Sequence, residues 1–433
     1  MLNRRFFEGL LTRRQFLAAG SLAALGGPLA ANLRSAPISE GKLPLEEAFG
    51  REMNLFMTER RIPGGALAVV KGRRLVFLRG YGWADREQKL EVKPDSLFRI
   101  ASISKPFTAV AILKLVEAGK LDLNARAIEV AGFEPKASGS RSPDPRLKSI
   151  TVRQCLHHTG GWDRDASGDP MFRSVEIAGA MGVLAPARPE TIIRYVLGQP
   201  LDFDPGARFA YSNFGYCLLG RIIEKVSGTS YFDFVRDTVL HPMRITGMRL
   251  GASLEPDRAG NEVRYYTPEN RRGPSVFPNS PETVPEPYGT FCLEAMDAHG
   301  GWLASAIDLA RFPATLDAPA ENACLKAETL KMLYEPPESP VSRRPDGSLA
   351  AVYYACGWNV LPKGNGKANY WHNGSLPGTF TLLVRRFDGL SWVALFNQRS
   401  ENSKLPDSAI DGALHRAADS VAEWPDADLF MTI

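Results

Sequence analysis

Apolar and polar positions along the chain fall into two periods. Short runs rich in β-branched and other apolar residues occupy 66–70, 75–78, 380–384 and 393–396. Turn chemistry separates each pair, Lys71-Gly72-Arg73-Arg74 in the first and Asp388-Gly389 in the second, and both pairs predict β-hairpins. A helical period follows residue 104, where Phe107, Val110, Ile112, Leu113, Leu115 and Val116 share one pattern. Pro106 sits near its first turn, where a missing N–H costs least, and Gly119 ends it. Tyr216, Leu218, Leu219, Ile222 and Ile223 predict another helix, and Ile410, Leu414, Ala417 and Val421 a last one stopping before Pro425.

Hairpins near both ends with helices between them predict an α+β fold. One antiparallel sheet is assembled from N- and C-terminal segments, flanked by helices, with a mainly helical lobe inserted. The expected boundaries put an α/β lobe at about 44–125 and 350–433 and the helical lobe at about 126–349. Contact between the distant ends would carry His372 beside Ser102. Segments 133–148 and 252–290 are polar and proline-rich, and loops this long are often functional. The stretch from Tyr265 to Tyr288 reads equally as a site loop or as surface decoration.

Candidate chemistry begins at Ser102-Ile103-Ser104-Lys105, where an irregular stretch meets the first helix. A serine hydroxyl is a poor nucleophile at neutral pH. A lysine three residues on lies one helical turn away, within reach of its proton. Amides at a helix N-terminus also favour the negative charge that develops in acyl transfer. The tetrapeptide alone is weak, because Ser39-Glu40-Gly41-Lys42 shows the same spacing in a polar run without periodicity. Two further elements follow in order. Tyr211-Ser212-Asn213 is the only Tyr-x-Asn in the chain and precedes the second helix. A tyrosine hydroxyl near a lysine can relay protons, and an amide can orient the lysine or the substrate. The third element is His372-Asn373-Gly374-Ser375, chosen over His158-Thr159-Gly160 and His299-Gly300-Gly301 because it runs into a strand. A glycine on an edge strand admits a substrate backbone.

With these motifs the chain resembles the serine β-lactamase and penicillin-binding protein superfamily, most closely its class C-like branch of esterases, D-aminopeptidases and DD-peptidases. The superfamily's related set reads Ser-x-x-Lys, Ser-Asp-Asn and Lys-Thr-Gly. Here the second is Tyr-Ser-Asn, and the third carries histidine for lysine. Gly80-Tyr81-Gly82, Leu156-His157-His158-Thr159-Gly160-Gly161 and Gly300-Gly301-Trp302-Leu303-Ala304-Ser305 before Asp308-Leu309-Ala310 extend the likeness to nearly everything from Pro44 onward. The resemblance implies Ser102 as nucleophile, Lys105 as its activating partner and Tyr211 as general base. It implies Asn213, His372, Gly374 and Ser375 as substrate contacts, and the backbone N–H groups of Ser102 and Ser375 as the oxyanion hole. It calls for no cofactor. Histidine titrates near neutrality where lysine would be a permanent cation, so His372 is expected to make carboxylate recognition depend on pH and to disfavour β-lactams.

The expected activity is hydrolysis of an ester or amide through a Ser102 acyl-enzyme, with a D-amino-acid peptide or a β-lactam as alternative substrates. A noncatalytic protein that binds or senses cell-wall peptides is the alternative of another class. Thr12-Arg13-Arg14-Gln15-Phe16-Leu17 opens a small, mildly apolar stretch through Ala31 that reads as an export signal of the twin-arginine type. The signal is expected over residues 1–36 with a linker at 37–43. Gly26, Gly27 and Pro28 interrupt that stretch, which falls short of the ~20 apolar residues a membrane span requires. The mature protein is therefore expected not to span a membrane and to lie in the periplasm or otherwise outside the cytoplasm.

Of the 433 residues, the first 36 hold five arginines against one glutamate, which accounts for the whole formal charge of +4 and leaves the remainder neutral. Nucleic-acid binding thereby loses its support. His157, His158 and His299 complete no recognised ligand spacing, so no metal is expected. Five widely spaced cysteines, Cys155, Cys217, Cys292, Cys324 and Cys356, form no Cys-x-x-Cys pair and read as buried thiols. Trp162, Trp302 and Trp371 read either as cleft lining or as core. Oligomeric state is left open. Replacing Arg13 and Arg14 by lysine is expected to retain the folded protein in the cytoplasm, and cell fractionation showing undiminished export would remove the signal assignment.

Overall fold

The computed structural model describes residues 42–136, 142–317, 324–338, 343, 347–349 and 351–432. The arginine pair Arg13 and Arg14 and the decoy Ser39 lie outside them. Two compact units are present, one of residues 42–60 with 400–424 and the other of 61–399 with 425–432.

The first unit pairs helix Leu45–Arg60 with helix Ala409–Ser420. Phe49, Met53, Phe56 and Met57 recur at helical spacing and are buried, as are Ile410, Ala413, Leu414 and Ala417 on the other helix. Val421, expected inside the last helix, stands just beyond it in extended conformation and bridges to Leu43.

The second unit is built on an eight-stranded sheet of β1 (Gly64–Lys71), β2 (Arg74–Asp85), β3 (Leu90–Glu91), β4 (Tyr353–Tyr354), β5 (Asn359–Gly364), β6 (Lys367–Leu376), β7 (Thr379–Arg385) and β8 (Leu390–Phe396). Its order is β3-β2-β1-β8-β7-β6-β5-β4, and every pairing is antiparallel. Both expected hairpins are present, and β1 pairs with β8 with Ala68 opposite Val393, so N- and C-terminal segments meet at the sheet centre. β1 and β8 are buried on both faces, which explains why they read as continuous apolar runs without alternation.

Between the two groups of strands the chain is mainly helical. Helix Ser104–Glu117 is buried at every residue from Ser104 to Leu113, and helices Asn213–Ser227 and Ala306–Leu316 are also largely buried. A second, three-stranded sheet sets Trp302–Ala304 between Phe98–Arg99 and Arg249–Leu250, which lays the Gly300-Gly301-Trp302 motif beside the approach to Ser102. All five cysteines are buried. No helix among the described residues is long and apolar enough to cross a membrane.

The 252–290 segment is packed inward. Tyr265 and Tyr288 are each 3% exposed, and their rings lie under the guanidinium of Arg99, at 4.5 and 5.3 Å. Arg99 is fully buried, donates to Pro287 O at 2.5 Å and Ala252 O at 2.8 Å, and faces Glu262 at 3.6 Å. The Tyr265 hydroxyl donates to Glu262 and accepts from the Arg99 N–H. This long segment is thus clamped to the strand that leads to Ser102, and surface decoration no longer describes it. Breaking a buried ion pair from one side leaves an uncompensated charge. Glu262→Ala should therefore cost ~3 kcal/mol or more in urea unfolding, whereas a loss under ~1 kcal/mol would mean that the two carbonyls alone hold Arg99.

Candidate active site

The chain reaches Ser102 through strand Phe98–Arg99 and a short 3-10 turn Ala101–Ile103, and leaves it in helix Ser104–Glu117. Ala101 adopts a left-handed backbone at φ +47°, a conformation that costs a non-glycine residue ~1–2 kcal/mol. Surrounding bonds over-determine it. Thr381 Oγ1 donates to Ile100 O and Thr379 Oγ1 to Arg99 O, each at 3.0 Å, while Ser104 Oγ donates to Ala101 O at 2.7 Å and Ile100 N–H to Trp302 O at 3.0 Å. A Cβ on Gly374 would lie 2.1 Å from Ile100 O and 3.1 Å from Ala101 Cβ. The bare Gly374 thus makes room for the protein's own turn at Ser102. Nor is β6 an edge strand throughout. Residues 367–371 pair with β5, and only His372–Leu376, which includes Ser375, has a partner on β7 alone.

Lys105 is fully buried, and its Nζ lies 3.1 Å from Ser102 Oγ, 2.7 Å from Asn213 Oδ1 and 2.9 Å from His299 O. Burial, helped by the Arg164 cation and opposed by Asp169, pushes the ammonium well below the ordinary lysine range. Burial thus favours the neutral amine over the ammonium. Tyr211 presents its ring face to Lys105 at 4.8 Å and to the Arg164 guanidinium at 4.4 Å. Burial pushes its phenol up to about 12, against the Arg164 cation and a hydrogen bond with Ser102. Tyr211 therefore holds its proton at neutral pH, while Lys105 is the neighbouring group whose charged form burial disfavours.

Ser212 caps helix Asn213–Ser227 by accepting from Gly215 N–H, and its own N–H donates to His158 Nδ1 at 3.2 Å. This cap turns Asn213 inward. Asn213 Nδ2 donates to Asp169 Oδ2 at 2.6 Å, so its amide is spent on Lys105 and Asp169 and orients the lysine. His372 is 2% exposed. Its Nδ1 meets Asn373 O at 2.7 Å, and a carbonyl can only accept, so the proton sits on Nδ1 and Nε2 accepts from Tyr354 OH at 2.9 Å. Burial, reinforced by Lys105, pushes the ring down to about 3. A pH switch near neutrality at His372 is thereby corrected, since both nitrogens are engaged and the ring stays neutral.

The structure thus gathers Ser102, Lys105, Tyr211 and Asn213 into one hydrogen-bonded group, with Gly374 against it and His372 beside Tyr211, their rings 6.3 Å apart. Ser375 stands on the free stretch of β6, where its Oγ accepts from Arg399 at 3.3 Å. The rejected His-x-Gly copies also border the site. His158 packs on Tyr211 at 4.3 Å, and His299 supplies a carbonyl to Lys105. Trp162 and Trp302 are core residues, Trp162 edge-on to Phe214 and Trp302 stacked on Phe232. Arg164, Asp169 and Tyr354 escaped sequence reasoning. Asp169-Pro170 reads as a turn cap, and nothing in its neighbourhood signals contact with an asparagine 44 residues on.

Residues 49–416 match the Beta-lactamase family, and the chain belongs to it. Members of this fold family are serine hydrolases, among them amidases and esterases. "Protein flp" of Staphylococcus aureus (strain COL) is 32% identical over 211 residues, 48% of this chain and only 39% of that protein's length. "Penicillin-binding protein 4*" of Bacillus subtilis (strain 168) is 28% identical over 81% of this chain and 71% of its own. Among solved structures, D-amino acid amidase from Ochrobactrum anthropi SV3 superposes with a TM-score of 0.65 at 21% identity, covering 87% of this chain and 98% of that one, a likeness of fold.

The unfolded imidazole takes up a proton at about 6.5. Stability from the neutral His372 is therefore complete above that value and is lost as pH falls toward 3, at up to ~1.4 kcal/mol per pH unit. Imidazole NMR should show the His372 proton on Nδ1 and resonances that do not move between pH 8 and pH 5. A titration midpoint near neutrality would restore the switch.

Proposed function

We propose that this protein is an exported serine hydrolase that cleaves ester or amide bonds through a Ser102 acyl-enzyme. The observation that carries the reading is the buried Lys105 amine 3.1 Å from the Ser102 hydroxyl. Neutral Lys105 takes the Ser102 proton as Oγ attacks the carbonyl carbon. The resulting oxyanion is received by the backbone N–H groups of Ser102 and Ser375. As the intermediate collapses, the C–O or C–N bond breaks, and the leaving alcohol or amine takes a proton from Tyr211, which Lys105 replaces. Water then attacks the acyl-enzyme by the same route and frees the acid.

With His372 neutral, the third motif offers no cation, which favours esters and amides whose leaving group is uncharged. A second reading, a D-amino-acid peptide substrate, is supported by Arg399, whose Nη1 lies 3.3 Å from Ser375 Oγ and sets a guanidinium by the free stretch of β6. The names of the similar amidase and penicillin-binding protein agree with either. The arginine pair at Arg13 and Arg14 supports export.

A fluorophosphonate should label Ser102, located by peptide mass spectrometry, and Ser102→Ala should lower turnover at least ~1,000-fold. A panel of p-nitrophenyl esters, D-alanine amides, D-Ala-D-Ala peptides and nitrocefin then sorts the substrates. Absence of labelling, or turnover unchanged in Ser102→Ala, would leave the noncatalytic peptide-binding reading standing.

A further inference from the structure

Behind Asn213 lies a carboxylate that the reaction above does not use. Asp169 is 8% exposed, caps the short turn Pro170–Phe172 by accepting from Met171 N–H at 3.1 Å, and turns its other oxygen to Asn213 Nδ2 at 2.6 Å. We infer that Asp169 is a positioning residue that holds the Asn213 amide in one of its two orientations and so aims the lone pair of Lys105 at Ser102. The inference rests on the acyl-enzyme reading.

A carboxylate only accepts, so Asn213 must show it the NH2 group and show Lys105 the carbonyl oxygen. His299 O is a second acceptor on Lys105. A neutral amine has two hydrogens and one lone pair. Both hydrogens go to these two carbonyls, and the direction that remains is Ser102 Oγ at 3.1 Å. With the amide reversed, Nδ2 would confront Lys105 and draw the lone pair to itself. An amine hydrogen would then point at Ser102, and the nucleophile would have no base.

Asp169 also acts by charge. The groups facing Lys105 are Arg164, Asp169, Tyr211, Tyr216, and the imidazoles of His158, His299 and His372, which burial keeps neutral. Arg164 lowers the proton affinity of Lys105, and Asp169 raises it. Charge and acceptor geometry can be separated, because asparagine keeps an acceptor oxygen without the charge and alanine keeps neither.

The test is the rate of fluorophosphonate labelling of the full chain from pH 5 to 10 in wild type, Asp169→Asn and Asp169→Ala. The bond formed is Oγ–P, fluoride departs, and the Ser102 proton passes to Lys105. In Asp169→Asn the acid limb should move to lower pH by about half a unit or more, with the plateau within about threefold of wild type. In Asp169→Ala the plateau should fall at least ~10-fold, within the range that a misdirected base costs. Wild-type labelling matched by Asp169→Ala in plateau and limb would overturn the inference alone. Equal losses in both variants without movement of the limb would assign Asp169 to folding only and overturn it too. Failure of wild type to label at Ser102 would instead defeat the acyl-enzyme reading, and the inference with it.

Discussion

A lysine ammonium without water is the condition around which the site is arranged. Removing such a charge from solvent costs several kcal/mol even after relaxation, and the protein does not offset it with a contacting anion. Lys105 meets two carbonyl oxygens and a hydroxyl, while the nearest carboxylate stands behind an intervening amide. Burial therefore favours the neutral amine, which on the proposed reading serves as the base beside Ser102. The same desolvation holds Tyr211 protonated and the neighbouring imidazoles neutral. A single physical cause therefore shifts the protonation of the whole cluster.

That dry environment is made by elements far apart in the chain. Helix Ser104–Glu117 supplies Lys105, the cap at Ser212 turns Asn213 inward, the turn after Met296 brings the His299 carbonyl, and β6 and β7 close the nucleophile turn from the sheet side. The Arg99 clamp adds the 252–290 segment to the same approach. Its buried tyrosines pack on the residue three positions before Ser102, so a proline-rich loop becomes part of the foundation of the site.

Much of this was legible in residue order. Hairpin turn chemistry and apolar runs predicted the sheet and its closure by both ends, and the spacing of Ser102 and Lys105 predicted one helical turn between hydroxyl and amine. Two kinds of information were not legible. One is solvation: a histidine in a strand reads as a titrating group, and only its bonds to Tyr354 and Asn373 O, with burial, show that it does not titrate. The other is non-local pairing. Asp169 has the look of any turn cap, and Gly374 that of any glycine made for a ligand, until the sheet places Ile100 O against one and Asn213 against the other.

The two threonines of β7 carry a consequence for motion. Thr379 and Thr381 tie the carbonyls ahead of Ser102 to a strand with neighbours on both sides, and the left-handed Ala101 is held between that strand and Gly374. The turn at Ser102 is thereby tied into the middle of the sheet. Freeing it would mean parting the middle of the sheet, so slow amide exchange is expected there rather than the breathing of a surface loop. Whatever flexibility substrates demand has to come from the opposite wall, where Arg164 and Tyr211 are partly exposed, and adaptation to new substrates would be expected to proceed there while the nucleophile stays still.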